Sequence, residues 1–135
     1  MQPTERIACI DWLTELHSWQ YFLTLTFKYE VTTKAATQAF YEWLTSMQRL
    51  MPEFRALAGV EGERTHLHAV LAPSLTSLQA QTVEGNWRSR YGLTRLSAIE
   101  PGTTRSVVAY TLKHASSMDD LILPRSLKEH TRDFR

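Results

Sequence analysis

The sequence lacks most of the features that mark secreted, membrane-spanning or ATP-driven proteins. It has a single cysteine, Cys9, which excludes an internal disulfide and a cysteine-based zinc site. No apolar run approaches the length of a membrane span, and the first residues, "MQPTERIACIDW", lack the apolar core of a signal peptide. No GxxxxGKS or GxxxxGKT loop is present, so ATP-driven unwinding is not expected. These absences predict a cytoplasmic protein without a membrane partner.

Length and composition indicate one globular domain spanning residues 1–135. Of the 135 residues, 43% are hydrophobic and 21% are charged, as in soluble folded proteins rather than disordered or fibrous ones. The net charge of +1 is unevenly distributed. Residues 1–85 hold 6 lysines and arginines against 9 acidic residues, whereas residues 86–135 hold 9 against 5. The basic half can form a surface that tolerates phosphates, although ordinary scatter explains the distribution equally well.

Apolar periodicity predicts seven elements in this chain. They are a strand in "WQYFLTLTFKYE", a helix in "VTTKAATQAFYEWLTSMQRLM", strands in "EFRALAGVEG" and "THLHAVLA", a helix from Pro73 to about Arg90, a strand in "LTRLSAIE" and a helix in "RSVVAYTLKHASS". This order, β-α-β-β-α-β-α, is close to that of ferredoxin-like (RRM-like) α+β folds. We therefore expect an antiparallel sheet with helices packed on one face and the other face open for a ligand. Residues 119–135 are expected to form a C-terminal tail.

The strand "THLHAVLA" carries two histidines in an otherwise apolar run. Because successive side chains of a strand point to opposite faces, His66 and His68 share a face that Leu67 does not. Two neighbouring imidazoles can bind a divalent ion. They can equally be the polar edge of a half-buried sheet.

A third ligand is expected from the stretch just before this strand, "GVEGERT". If Glu63 and Arg64 form the tip of a two-residue hairpin, Glu61 lies directly opposite His66 and beside both histidines. Glu63 takes that place if the turn shifts by one residue, since the sequence does not fix the register. The candidate metal ligands are therefore His66, His68 and Glu61, with Glu63 as the alternative. Without a metal, the glutamate is explained as a solvated residue near two surface histidines.

The last predicted helix carries a tyrosine and a lysine one turn apart. Tyr110 and Lys113, at i and i+3 in "VVAYTLKHA", lie on the same helix face, and His114 is within reach of Tyr110. A tyrosine can attack phosphate covalently, although an unactivated phenol is a poor nucleophile at neutral pH. A nearby ammonium group and a divalent cation would both favour the phenolate. Together with the metal ligands, Tyr110 and Lys113 form a candidate phosphoryl-transfer site, while each alone is as well explained as a helix surface residue.

Three short motifs follow one another along the chain in a definite order. They are "FLTLTF" on the first strand, "HLH" (residues 66–68) on the third strand and "YTLK" (residues 110–113) on the last helix. Together they resemble the motifs of the HUH endonuclease superfamily, the rolling-circle replication initiators (Rep proteins) and their relatives. The stretch "GLTRLSAIEPGTTRSVVAYTLKHA" is also similar to phage and plasmid initiators, and the resemblance covers roughly residues 20 to 118. Three motifs in order on the predicted elements are more specific than any one alone.

The resemblance implies a metal-dependent endonuclease. Tyr110 would attack the scissile phosphate of single-stranded DNA, giving a 5′-phosphotyrosyl link and a free 3′-hydroxyl, and the same site could rejoin strands. Lys113 would position the phosphate or balance the phenolate. Mg²⁺ or Mn²⁺, held by His66 and His68 with Glu61 in the place of the family's third ligand, would polarise a phosphate oxygen.

The resemblance also implies the partners of the protein. The substrate would be single-stranded DNA or a DNA hairpin at a replication origin, in a bacterial host or on a phage genome. A separate helicase would supply unwinding. Only one tyrosine lies in the motif, since His114 follows Lys113, so the single-tyrosine type is expected, acting as a monomer or weak dimer.

Further DNA contacts are predicted from cations and hydroxyls outside the motifs. A single strand is held by stacking on aromatic rings and by contacts to its phosphates. Near the end of the second predicted helix, arginines alternate with Trp87 and Tyr91, although these rings at i and i+4 can equally anchor the helix to the core. Two threonines of the first strand share its open face. The predicted DNA-binding residues are Arg88, Arg90, Arg95, Arg105, Thr24 and Thr26.

Three other functions are compatible with the sequence. A single-tyrosine transposase of the same superfamily would use a similar site to mobilise an insertion sequence. A non-catalytic nucleic-acid-binding module would hold a strand on the open face without cutting it, and would be indifferent to loss of Tyr110 and to chelators. A soluble ferredoxin-like domain with neither role is the remaining interpretation.

Overall fold

The computed structural model describes residues 2–61, 66–113 and 121–122 of the chain. The elements are α1 (Pro3–Leu16), β1 (Tyr21–Leu25), α2 (Thr33–Leu50), β2 (Arg55–Glu61), β3 (His66–Ala72), α3 (Ser77–Arg90), β4 (Thr94–Ala98), α4 (Thr104–Thr111) and β5 (Leu121–Ile122). The strands form one sheet in the order β4-β1-β3-β2-β5, in which all neighbours run antiparallel. The strand β3 thus lies between β1 and β2. The α+β class and the antiparallel sheet predicted from the sequence are confirmed.

One face of the sheet packs against α2 and α3 and forms the larger core. Thr32 caps the start of α2, because its side chain accepts a hydrogen bond from the backbone N–H of Ala35 at 3.1 Å. On the sheet, Leu67, Ala69 and Leu71 face this core, as strand alternation predicts. The residues that α2 buries recur at helical spacing: Ala36, Ala39, Phe40, Trp43, Leu44 and Met47.

The start of α3 differs from the prediction. The sequence pattern places it at Pro73 and Ser74, but the helix begins at Ser77 because Thr76 and Gln79 form a capping box. The hydroxyl of Thr76 accepts the N–H of Gln79 at 3.1 Å, and the side-chain oxygen of Gln79 accepts the N–H of Thr76 at 2.9 Å. The predicted end, near Arg90, is confirmed.

The opposite face, expected to be open, is partly covered by α1 and α4. In this second core, Leu13 of α1 and Val108 of α4 pack with Leu57 and Val70 of the sheet. Periodicity does not predict α1 because its apolar residues do not keep to one side of the helix, and Ile7 is 54% exposed. Helices therefore lie on both faces rather than on one, and this corrects the prediction.

Part of the predicted C-terminal tail belongs to the sheet. The strand β5 pairs with β2, so that Leu121 lies opposite Gly59 and Ile122 opposite Ala58. The rest of the segment 119–135 lies outside the described residues. Glu63 and His114 lie outside them as well.

Candidate active site

The strand register places five of the predicted site residues on one face of the sheet. Glu61 lies opposite His66 across β2 and β3, as the two-residue hairpin predicts. Thr24 of β1 lies opposite His68 on one side and opposite Arg95 on the other. Because directly opposed residues share a face, these side chains come from four strands to the face that α1 and α4 partly cover.

Glu61 and His68 are in direct contact. The Oε2 atom of Glu61 lies against Nε2 of His68, and the side chain of His68 is 10% exposed against 35% for that of Glu61. The second ring nitrogen of His68, Nδ1, is buried and has no hydrogen-bond partner within the described ranges. A carboxylate on one nitrogen of an imidazole fixes the orientation of the ring. Glu61 therefore orients His68.

Tyr110 of α4 contacts His68 and Phe22 through its aromatic ring. The ring centroids of Tyr110 and His68 are 5.2 Å apart, with the rings edge to face. Phe22 of β1 stacks on His68 at 5.5 Å with an interplanar angle of 12°, and it meets Tyr110 edge to face at 5.7 Å. Three mutually contacting rings are a preferred arrangement of aromatic side chains. Tyr110 is nevertheless 47% exposed, so it remains accessible to a ligand.

A glycine of β2 allows α4 to approach the sheet this closely. A Cβ added to Gly59 would lie 2.1 Å from the backbone oxygen of Thr111, the residue that follows Tyr110. Gly59 is the register partner of His68. Because Gly59 has no side chain, the end of α4 can lie directly over the paired strands β2 and β3, next to His68.

Lys113 and Arg6 both lie near the end of α4. The ammonium of Lys113 is 5.7 Å from the centroid of the Tyr110 ring, so the two residues are neighbours as their spacing predicts. Arg6 of α1 donates a hydrogen bond of 2.8 Å from Nη1 to the backbone oxygen of Leu112. A cation at the C-terminus of a helix interacts favourably with its free carbonyl groups. Lys113 is exposed and faces solvent beside the nucleophile candidate.

The donor atoms suit the divalent ion that the sequence predicts, but they are only partly assembled. Carboxylate oxygens suit Mg²⁺ and Mn²⁺, and imidazole nitrogens bind softer divalent metals as well. Glu61 touches His68 and lies opposite His66. Within residues 2–61, 66–113 and 121–122, however, no three histidine, cysteine or acidic side chains converge as a metal site. Glu61 and His68 fit as two ligands, and His66 must approach them to complete the set.

Arg88 and Arg90 lie away from this face. Both belong to α3, which packs on the other side of the sheet. Arg88 is 3.3 Å from Glu84 of the same helix, and Arg90 is 3.5 Å from Glu42 of α2. The structure does not bring these two predicted DNA contacts to His68.

The remaining two predicted DNA contacts already have protein partners. The hydroxyl of Thr26 accepts the N–H of Leu93 at 3.1 Å and thereby ties the end of β1 to the start of β4. Arg105 donates from Nε to Oδ1 of Asp11 at 2.8 Å, between α4 and α1. Both side chains of this ion pair are more than half exposed, so it is weak and Arg105 can exchange its partner for a phosphate. Thr26 is the less suited of the two to bind DNA.

Three residues of the site are missing from the sequence prediction. Gly59 had a signal, since an isolated glycine inside a strand such as "RALAGVE" indicates a close backbone approach. Phe22 shares the strand face of Thr24, but alternation alone does not reveal which helix residue it contacts. Arg6 gave no signal because α1 itself was not predicted.

One solved structure shares the fold. The chain is similar to the crystal structure of the hypothetical protein ORF119 from Sulfolobus islandicus rod-shaped virus 1, with 14% sequence identity and a TM-score of 0.57, over 79% of this chain and 91% of that one. The sequence matches no protein-family model and no curated protein. In the part of the chain that the structure describes, no helix has both the length and the apolar character needed to cross a bilayer. The likeness establishes the fold alone.

Proposed function

We propose that this protein is a metal-dependent endonuclease that cuts single-stranded DNA with Tyr110 and so initiates rolling-circle replication of a phage or plasmid. One observation carries the proposal. The ring of Tyr110 lies 5.2 Å from that of His68, and the carboxylate of Glu61 contacts the same histidine. This arrangement supports the proposal because a tyrosine, which can act as a nucleophile, lies beside a histidine and a glutamate, which are residue types that bind divalent metals.

The bond changes follow from the chemistry of a phenol and a phosphodiester. The Oη atom of Tyr110 forms a bond to phosphorus, and the bond between phosphorus and the 3′ oxygen breaks. The phenol loses its proton to solvent, and the released 3′ oxygen takes one up. The products are a 5′-phosphotyrosyl link and a free 3′-hydroxyl. Attack by a 3′-hydroxyl on that link reverses the step and rejoins a strand.

Glu61 and His68, with His66, would hold the divalent ion. When bound, the ion supplies charge neutralisation at a non-bridging phosphate oxygen. Phe22 and Gly59 keep His68 and Tyr110 together, the first by ring contact and the second by admitting the backbone of α4. The proposed site is therefore formed by residues of β1, β2, β3 and α4.

Cations and a hydroxyl near the site can bind the strand. Lys113 carries a positive charge 5.7 Å from the Tyr110 ring, where it would contact the phosphate and favour the phenolate. Arg95 and Thr24 occupy the row of the sheet that contains His68, and Arg95 is exposed. Of the four arginines predicted to bind DNA, Arg95 is thus the best placed to contact a neighbouring phosphate.

The test is the formation of a covalent adduct. A panel of labelled single-stranded oligonucleotides is incubated with the protein and Mn²⁺ or Mg²⁺, then run on a denaturing protein gel. We expect a shifted band that disappears with EDTA and in Tyr110→Phe. The matched control is Tyr29→Phe, because Tyr29 is 82% exposed and lies outside the strands and helix that form the proposed site; it should give the wild-type band.

A different outcome would favour another function. If no oligonucleotide forms an adduct, yet the strands bind equally to wild type and Tyr110→Phe, the protein is a binding module and not a nuclease.

A further inference from the structure

A groove with a volume of about 430 Å³ opens beside Tyr110. Its walls come from the end of β4, from β1 and from α4. The residues that line it include Phe22, Ser97, Ile99, Ser106, Val107 and Tyr110. The volume falls within the range of small-ligand pockets, which is about 300–1,000 Å³.

The lining of the groove suits a flat, uncharged group. Aromatic and aliphatic side chains dominate it, with the hydroxyls of Ser97 and Ser106 among them. Among the described residues that line it there is no lysine or arginine, whereas Glu100 is present. An acidic residue without a cation repels phosphate. The groove is therefore unsuited to the backbone of a nucleic acid but suited to a base.

Tyr110 lies between this groove and the metal-ligand candidates. On the same sheet face, Ser97 and Phe22 form one cross-strand pair, and Arg95 and Thr24 form the next. The first pair lines the groove through both members. The second pair belongs to the row that contains His68. A strand whose phosphate meets Tyr110 beside His68 thus has Arg95 in the row of His68 and the groove at the next row of the sheet.

We propose that the groove holds one unstacked base of the DNA strand, next to the phosphate that Tyr110 attacks. The inference rests on the proposed function, because it takes DNA as the substrate of this face. Phe22 and Tyr110 offer ring surfaces to the base, and every base has a π-face that can stack on them. Ser97 and Ser106 offer hydroxyls to its edge. This base fixes which phosphate reaches the tyrosine.

The test compares two strands that differ only in their bases. Fluorescence anisotropy measures the affinity of the full chain for a thymidine homopolymer of about 12 nucleotides and for an abasic strand of the same length, at one salt concentration. The variant Ser106→Trp fills the groove from an exposed position on α4. The matched control, Leu78→Trp, adds the same ring at a residue of α3 that is 73% exposed.

We expect wild type and Leu78→Trp to prefer the homopolymer over the abasic strand. In Ser106→Trp this preference should fall about tenfold, as loss of one stacked base predicts. Affinity for the abasic strand should stay the same, which shows that the variant is folded and keeps its phosphate contacts. Three results would overturn the inference: no preference in wild type, an unchanged preference in Ser106→Trp, or an equal loss of affinity for both strands.

This test distinguishes a failure of the base-binding inference from a failure of the proposed endonuclease activity. Binding is measured without any cutting, so a chain that forms no adduct but loses base preference in Ser106→Trp retains the groove as a base site. A chain that forms the adduct with unchanged base preference is a nuclease whose groove has no such role.

Discussion

Arg6, near the start of the chain, donates a hydrogen bond of 2.8 Å to the backbone oxygen of Leu112, two residues after Tyr110. The contact spans 106 positions of sequence and fastens α1 to the end of α4. It ties α1 to the segment that follows Tyr110, the proposed nucleophile.

Replacing Arg6 should therefore lower both the stability of the protein and the rate of the reaction proposed for Tyr110. We expect Arg6→Ala to lower the free energy of unfolding by about 1.5 kcal/mol, since a charged donor is lost from a helix end. The rate of adduct formation should fall in the same variant. Urea unfolding and the gel assay measure the two effects. Lys28→Ala, at an exposed position between β1 and α2, is the control, and an equal effect there would contradict the assignment.

Gly59 and Gly85 make a matched pair for testing the contact between α4 and the sheet. A Cβ at Gly59 would lie 2.1 Å from the Thr111 oxygen, whereas a Cβ at Gly85 in α3 meets nothing within 4 Å. We expect Gly59→Ala to displace α4, lower the melting temperature and reduce adduct formation. Gly85→Ala should instead stabilise the protein by about 0.5–1 kcal/mol, because alanine is the better helix former. A Gly59→Ala protein with wild-type stability and activity would show that α4 does not lie as described.

Glu61 should govern metal affinity. Its carboxylate contacts His68, so Glu61→Gln removes a charge from the ligand set and should weaken Mn²⁺ binding about tenfold or more. Electron paramagnetic resonance of free Mn²⁺ during a titration gives the affinity. Glu53→Gln, an exposed residue before β2, should bind Mn²⁺ as wild type does. Equal Mn²⁺ affinities for wild type, Glu61→Gln and Glu53→Gln would show that Glu61 is not a metal ligand.

Cys9 should make stability depend on alkaline pH. Burial raises the pKa of its thiol from 9.0 to about 11, although the neighbouring Arg6 lowers it in part. The folded state thus favours the protonated thiol, and the unfolded chain loses this proton first. Stability should fall as pH rises from about 9 to 11, and less so in Cys9→Ala. Urea unfolding across this range measures the difference, and parallel curves for the two proteins would contradict it.

His17 should make stability depend on pH in the mildly acidic range, where stability should rise rather than fall with increasing pH. Desolvation by burial, and secondarily the charge of Arg55, lower the pKa of its imidazole. The unfolded chain then binds the proton more readily than the folded protein, so stability should decrease as pH falls through about 6.5. His17→Gln should lack this component. An NMR titration of the His17 ring that gave an unshifted or raised pKa would refute the sign.

The residues that sequence reasoning located are those whose position depends on local geometry. Strand alternation put His66 and His68 on one face, and the two-residue hairpin put Glu61 opposite His66. Helical spacing made Tyr110 and Lys113 neighbours. Each of these follows from the period of a strand or helix.

What the sequence did not reveal depends on contacts between distant segments. Phe22 meets Tyr110 only because β1 lies beneath α4, and nothing in "FLTLTF" specifies that partner. Arg88 and Arg90 have the composition of a DNA-binding surface, yet the packing of α3 puts them on the far side of the sheet. Local patterns determine which residues share a face, but tertiary packing determines what that face meets.

The order of the elements has a consequence for the newly made chain. The helix α4 follows β1 to β4 in sequence, while its packing partner α1 is synthesised first. A polypeptide that stops before residue 104 has the strands that carry Glu61, His66 and His68, but it has no Tyr110 and leaves Leu13 without Val108. Such a fragment exposes apolar surface that proteases and chaperones recognise. Tyr110 is thus synthesised after the strands that carry Glu61, His66 and His68.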